Sequence, residues 1–401
     1  MLTRLIKEHW MLMAAAAAAA ASMFAVPPDE RYLGYFDWET IGCLFCVLAV
    51  ASALRRIGAF DRIARTAIAH SRQPRFLALA IVFVTAAFSM AFTNDVALII
   101  MLPLSATMLV KLDEVQLVPT VFALQALAAN LCGMITPFGS PQNLYLYSRY
   151  QLDLGAFLGA MALPFLVSVT GIAAATWFMV GRKGHGKPDA DECQRDYPEG
   201  CASEDASAHQ AAPVMPVDSR RLMLYGALFV VTLLAVFHIT SFWIAAIVVG
   251  VGIAMADRKA LREVDYALLA TFVCFFVFAG NVARIPMLEA ALGPLMGQWG
   301  LLVSALTSQV ISNVPAAVIL SHFTETWAPL LVGVNIGGAG TFVGSLASLI
   351  VIRYFNLSRK VFAPMRAPEA PTTGQFLVRF GLMNAMFFIG LLTVCQLTIS
   401  A

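Results

Sequence analysis

Charge is what this 401-residue sequence most lacks: Asp, Glu, Lys and Arg together make up 12% of it, against 60% apolar residues. A water-soluble domain carries about 25% charged residues, so a soluble globule does not fit. Charge-free windows of roughly 17–25 residues recur, the length that crosses a hydrocarbon core of about 30 Å. Sustained apolar–polar alternation is also missing, which argues against a transmembrane barrel and for helices. There is no H-E-x-x-H and no paired acidic set in the apolar segments, and Gly139-Ser140 has no evident His or Lys partner. An intramembrane enzyme is therefore disfavoured. Cys43 and Cys46 form a C-x-x-C, but no second pair or His cluster accompanies them. Neither a metal cluster nor a disulfide is expected, Cys193 and Cys201 being placed in a reducing cytoplasmic linker.

What is present is a set of apolar spans near 10–26, 40–54, 155–180, 222–238, 241–256, 265–283 and 376–399. The first is read as a transmembrane helix, although Arg4 and Lys7 before an Ala-rich run also mimic a secretory signal. Two longer apolar regions, about 76–148 and 298–352, are interrupted by polar residues and glycines. With a cytoplasmic N-terminus, 23 of the 26 basic residues fall on the inside, and only Arg31, Arg149 and Arg284 fall outside. Such a positive-inside bias sets orientation. It requires each interrupted region to make one net crossing, as a re-entrant hairpin followed by a broken helix does. The expected fold is an all-α polytopic membrane protein with about nine full crossings plus two hairpins. Residues 58–71 read as an amphipathic helix along the cytoplasmic surface, with Phe60, Ile63, Ala64, Ala67 and Ile68 on its apolar face.

Self-comparison divides the chain. Asn130, Gly133, Thr136, Gly139, Ser140 and Leu144 recur at a constant offset of 205 as Asn335, Gly338, Thr341, Gly344, Ser345 and Leu349. Upstream, Thr93-Asn94-Asp95 finds its partner in Ser312-Asn313-Val314. Low-complexity apolar sequence does not readily produce the same ordered Asn, Gly, Thr, Gly and Ser. The expected organisation is a first repeat over 1–180, a polar cytoplasmic linker over 181–221, a connecting transmembrane helix over 222–240 and a second repeat over 241–401. The odd connecting crossing inverts the second half relative to the first, an arrangement typical of secondary transporters.

These residue types suit ions and small solutes. Hairpin tips and helix breaks free backbone groups, and Asn and Thr oxygens can replace the water shell of a hard cation. Helix N-termini hold an anion without arginine. Candidate binding residues are Thr93, Asn94, Asp95, Asn130, Thr136, Gly139, Ser140 and Asn143 in the first half. Ser312, Asn313, Asn335, Thr341, Gly344 and Ser345 are the candidates in the second, with Na⁺ placed at Asn94, Asp95 and Asn313. The glycines at 133, 139, 338 and 344 are expected to permit unusual backbone and close approach. Bland readings stand beside these: Thr93 and Ser312 as back-bonding helix hydroxyls, and the asparagines as interhelical glue. Asp95 is the one acidic residue placed at mid-membrane depth, where ionisable groups are costly and usually functional.

The runs Thr93-Asn94-Asp95-Val96-Ala97-Leu98, Thr136-Pro137-Phe138-Gly139-Ser140-Pro141-Gln142-Asn143-Leu144 and Ser312-Asn313-Val314-Pro315-Ala316 resemble the ion transporter superfamily. This group includes divalent anion:sodium symporters, citrate-transporter-like permeases, arsenite permeases and one class of sodium/proton antiporter. The resemblance implies a homodimer, a scaffold part and a mobile part with elevator-like movement, and sodium and carboxylate bound at the tips and breaks. Asp95 stands where the symporter branch has a small hydroxyl residue, and Val314 where it has Thr. The Asn-Asp pair is nearer to arsenite permeases and antiporters; the Pro-Gln-Asn stretch is nearer to citrate-transporter-like permeases.

The leading expectation is a secondary active transporter of a small anion, a carboxylate or inorganic oxyanion, coupled to Na⁺ or H⁺ in a bacterial inner membrane, with the C-terminus outside. The alternative is a sodium/proton antiporter or arsenite-type efflux permease using Asp95. Expected partners are the solute, membrane lipid and a second copy of the chain. Neither a cofactor nor nucleic acid is expected.

Overall fold

The computed structural model describes residues 10–68, 73–112, 114–181, 218–362 and 372–399. The N-terminal basic residues and the bulk of the polar linker, with Cys193 and Cys201, lie outside the described residues. Among the described residues there are seventeen α-helices and no strand. Eight helical stretches of at least 18 residues are long and apolar enough to cross a membrane. The protein is an all-α, multi-pass membrane protein.

The first half runs α1 (Trp10–Ala25), α2 (Trp38–Arg56), α3 (Ala59–Ile68), α4 (Pro74–Ala91), α5 (Asn94–Lys111), α6 (Val118–Cys132), α7 (Pro141–Arg149) and α8 (Leu154–Met179). After the linker come α9 (Ser219–Val236), α10 (Phe242–Ala256), the short α11 (Arg258–Arg262) and α12 (Tyr266–Ala283). The remainder is α13 (Pro286–Ile311), α14 (Asn313–Leu320), α15 (Trp327–Ile336), α16 (Leu346–Phe362) and α17 (Thr373–Ile399).

Local chemistry explains the boundaries. Asp37, Asp153, Asp218 and Asp265 each accept a hydrogen bond from a first-turn N–H of α2, α8, α9 and α12 respectively, satisfying donors that would otherwise be orphaned. Pro74 and Pro141 open α4 and α7, where a missing N–H costs nothing. Helix α13 is non-helical at Trp299 (φ −129°, ψ 29°), so its N-terminal part is set off from the hairpin arm that follows. In the amphipathic α3 the buried stripe is narrower than the sequence suggests. Phe60, Ala64 and Ile68 are buried, whereas Ile63 is 54% exposed and Ala67 is exposed as well.

Packing interleaves the two halves. Helix α1 packs along α12, and α10 along α2, so each half lends an early helix to the other. The same exchange occurs deeper, where α7 contacts α14 and α5 contacts α16.

Loop contacts sort into two sets. At one end Arg284 makes a bidentate pair with Asp29 (3.0 and 2.7 Å), and His238 meets Glu39 at 2.8 Å. Tyr150 there donates to the Thr324 carbonyl at 2.7 Å. At the other end Arg56 pairs with Asp257 at 2.8 Å and with Glu263, while Arg75 donates to the Val180 carbonyl at 3.0 Å.

Candidate functional site

Two hairpins, α4–α5 and α13–α14, turn at Phe92-Thr93 and at Ser312, and each tip docks on a helix break. The breaks are 133–140, between α6 and α7, and 337–345, between α15 and α16. The docking is nearly the same twice. The Asn94 N–H donates to the Gly139 carbonyl at 3.1 Å, and the Asn313 N–H to that of Gly344 at 3.0 Å. Each asparagine then turns its own Oδ1 to the next N–H, of Asp95 (3.0 Å) and of Val314 (2.9 Å). The Thr136 hydroxyl donates to the Met90 carbonyl at 2.8 Å, and the Thr341 hydroxyl to the Gln309 carbonyl at 3.0 Å. Thr136 and Thr341 thus staple each break to its hairpin through carbonyls left free at the end of the first arm.

The glycines serve close approach rather than unusual dihedrals. A Cβ at Gly139 would lie 2.1 Å from the Gly133 carbonyl oxygen, and one at Gly344 would lie 2.6 Å from that of Gly337. None of 133, 139, 338 or 344 has a positive φ; in this region that conformation belongs to Gly340 (φ 110°) and Ser312 (φ 75°). Only glycine lets the two strands of each break come this near.

A buried amide network ties the halves together. Asn130 Oδ1 accepts from Asn94 Nδ2 and from the Ser345 hydroxyl, both at 3.0 Å, while its Nδ2 donates to the Gly338 carbonyl at 3.2 Å. Asn335 answers from the second half: its Nδ2 donates to Asn143 Oδ1 at 2.6 Å, and its Oδ1 accepts from Gln142 Nε2 at 3.4 Å. Asn143 Nδ2 in turn satisfies the freed carbonyls of Met134 and Thr136 at 3.1 and 3.2 Å.

The fourteen residues singled out from sequence therefore belong to one connected cluster, although not to one kind of role. Thr93 caps α5 by accepting from the Val96 N–H at 3.4 Å, whereas Ser312 makes no cap and its hydroxyl lies 3.4 Å from Asn313 Oδ1. Asp95 Oδ1, Ser140 Oγ and Gln142 Oε1 are buried without a protein partner. Ser348 Oγ, in the first turn of α16, is likewise buried without a protein partner, whereas these three lie in the first half. Their second-half counterparts are Val314, the hydrogen-bonded Ser345, and Ala347.

Four helix N-termini meet here, those of α5, α7, α14 and α16, joined through the Asn94, Gly139, Asn130, Ser345, Gly344 and Asn313 contacts just given. Each end carries about half a positive charge, roughly +2 in all. Among the described residues no Lys or Arg is hydrogen-bonded into the cluster, so the helix ends are its electropositive element.

A model of the citrate transporter family matches residues 4–331. The chain belongs to the citrate transporter family. Within that family context, it is 30% identical over 338 residues to the inner membrane protein YbiR of Escherichia coli strain K12, covering 84% of each chain. It is 28% identical over 367 residues to the uncharacterized transporter MJ0456 of Methanocaldococcus jannaschii, covering 90% of each. A shorter likeness, 29% over 149 residues, joins it to the silicon efflux transporter LSI3 of Oryza sativa subsp. japonica, covering 37% of this chain and 30% of that protein. Citrate transporter family membership makes the chain a membrane transporter and is consistent with the ion transporter superfamily.

Sequence reasoning missed three parts of this family member's site. Gln309 was not singled out, although it inserts into the second break. The ladder Thr85–Gln125–Ser105, with bonds of 3.0 and 2.9 Å, fixes both arms of the first hairpin to α6; polar residues inside apolar helices were its signal. Phe229 of α9 packs against Phe92 and Phe138, covering the first tip and break. An aromatic residue in an apolar span carries no signal for that.

Proposed function

We propose that the chain is a secondary active transporter that moves a small anion, a carboxylate or inorganic oxyanion, coupled to Na⁺ or H⁺. The observation carrying this reading is one hydrogen-bonded cluster that joins four helix N-termini and contains Asp95 Oδ1, Ser140 Oγ and Gln142 Oε1, three buried groups that lack protein partners. A buried polar atom without a partner costs about 1–3 kcal/mol, so it is kept where a ligand or water completes it. Roughly +2 of helix-end charge favours an anion. An ionised Asp95 cancels about half of that, and a coupling cation or proton at Asp95 restores it. Anion binding and cation binding are thereby made interdependent, which is what coupling requires.

In this reading the two halves are inverted repeats bounded as 1–180 and 241–401, with 181–221 and 222–240 between them. The N-terminus is cytoplasmic and the C-terminus outside, in a bacterial inner membrane. The chain works as a homodimer with elevator-like movement of the tips and breaks. The interleaving of α1 with α12 and of α10 with α2 supports a scaffold shared by both halves.

The test is reconstitution in proteoliposomes with dicarboxylates, citrate, sulfate and arsenite, each against imposed Na⁺ and H⁺ gradients. Uptake driven by one gradient and lost in Asn94→Ala and Asn313→Ala is expected. Flux that ignores both gradients, or coupled uptake that survives in both variants, would overturn the reading. The second reading, sodium/proton exchange or efflux of an arsenite-like solute, is favoured by Asp95 and by the likeness to the rice silicon efflux transporter. It requires gradient-driven exchange without an organic anion, abolished by Asp95→Asn.

A further inference from the structure

Both breaks free backbone carbonyls, but they are satisfied from different places. In the second half Gln309 Nε2 donates to the carbonyls of Gly337 (2.8 Å), Ala339 (3.1 Å) and Ala305 (3.2 Å), while Gln309 Oε1 accepts from the Thr341 N–H at 2.7 Å. A nitrogen drawing three carbonyl oxygens around itself stands where an oxygen-liganded cation would stand. Apart from Ser348 Oγ, which has no protein partner, the other acceptors there are occupied as well. The Gly338 carbonyl takes Asn130, the Gly344 carbonyl takes Asn313, and Asn313 Oδ1 takes the Val314 N–H. The Thr341 and Ser345 hydroxyls are spent on Gln309 and Asn130. Val314 adds no ligand.

The first half differs at the matching place. Met90, three residues before Thr93 as Gln309 is three before Ser312, offers no donor. The freed carbonyls of Met134 and Thr136 are held instead by Asn143 from the same broken helix, away from the hairpin arm. Asp95 Oδ1 and Ser140 Oγ are left open.

We infer that Gln309 is a built-in substitute for a second coupling cation, so that each chain carries a single cation site, in the first half beside Asp95. Its amide supplies the donors that would otherwise come from an ion, and it travels with the hairpin. The second half therefore keeps its shape without an ion, and coupling runs through one site. This rests on the cation-coupled reading above, but the amide's role can be judged without transport.

The experiment uses the full-length protein purified in detergent. Thermal unfolding is followed in choline chloride and during titration with NaCl, LiCl and KCl, for wild type, Asp95→Asn, Gln309→Glu, Gln309→Ala and the Asp95→Asn/Gln309→Glu double variant. The wild type is expected to show one saturable cation response with a unit Hill coefficient, which Asp95→Asn removes. Gln309→Glu places a carboxylate among three carbonyls. It should unfold earlier in choline and recover with added Na⁺ or Li⁺, also in the double variant, because the ion then takes the amide's place. Gln309→Ala should lose stability in choline. Two wild-type cation responses, or a Gln309→Glu protein as stable as wild type in choline and indifferent to cations, would overturn the inference. A wild type without any cation response, combined with a cation-rescued double variant, would count against coupled transport by Na⁺ and for the substitution by Gln309.

Discussion

The first and second breaks carry the same Asn…Gly…Thr…Gly-Ser pattern in different surroundings. Residues 137–140 are buried, with Phe138 against Phe229 of α9 and Phe237 just after it. In the second, Thr341 and Val343 are exposed and Phe342 stacks on Phe380 of α17 at 5.3 Å. The first tip is relaxed, Thr93 capping at φ −107°. The second is strained, Ser312 holding φ 75°, a conformation that costs a non-glycine residue about 1–2 kcal/mol. The covered, relaxed break leaves Ser140 Oγ and Gln142 Oε1 without a protein partner. In the uncovered, strained one the Thr341 and Ser345 hydroxyls are spent on Gln309 and Asn130, while Ser348 Oγ has no protein partner. The repeated motif forms two similar frames, and α9 packs on the first of them.

The largest effect should come from cutting the link between the halves. Asn130→Ala strands Asn94 Nδ2, the Ser345 hydroxyl and the Gly338 carbonyl, at a cost of about 4 kcal/mol. Asn335→Ala strands fewer groups and should cost about 3 kcal/mol. Thermal unfolding in detergent checks the order, and equal losses would erase the asymmetry claimed for the network. The glycines come next. Gly139→Ala drives a Cβ to 2.1 Å from a backbone oxygen and should cost about 3 kcal/mol, with loss of transport, whereas Gly344→Ala at 2.6 Å should cost about half that. A reversed order would mean that the covered break is the more yielding one.

Asp95→Asn changes stability by less than about 1 kcal/mol, since Asp95 Oδ1 has no partner to lose. Its effect should appear in uptake, where dependence on the Na⁺ or H⁺ gradient is abolished; retained coupling would make the carboxyl structural. Smallest is the clasp between the loop after α1 and the end of α12. The Arg284 guanidinium, by hydrogen bond and charge, holds the Asp29 carboxyl below the usual carboxylate range against the opposing effect of desolvation. A depressed carboxylate pKa contributes stability that is present above the unfolded value and is lost as pH falls through the folded one. Arg284→Ala should therefore lower the unfolding temperature slightly at pH 7, with a smaller difference from wild type once Asp29 is protonated, when the bond from Arg284 to the Tyr35 hydroxyl remains. Because the pair is exposed, salt should shrink the effect.

Much of this was legible in the sequence, for identifiable reasons. A helix needs only its own backbone and an apolar environment, so composition and span length specify an all-α membrane protein. The tips at Asn94 and Asn313 and both breaks are marked by Asn, Gly, Thr and Ser standing in runs that otherwise tolerate only apolar residues. Roles inside the cluster were less legible. Thr136 and Thr341 read as ligands because a hydroxyl in an apolar helix has several possible partners. Only the fold brings the carbonyls of Met90 and Gln309 to them. Gln309 was passed over because its acceptors at Gly337 and Ala339 are 28 and 30 residues away.

What the sequence by itself determined is the class of molecule, the doubling of its motif and the location of both tips, all consequences of local pattern and of the cost of polar groups in lipid. Tertiary structure alone decided that α1 and α10 would be exchanged between halves and that Asn130 and Asn335 would reach across. It also decided that Asp95 Oδ1 would be left without a protein partner while Gln309 bridged the second break. These outcomes depend on which groups meet through space, and equal motifs with unequal neighbours do not keep equal roles.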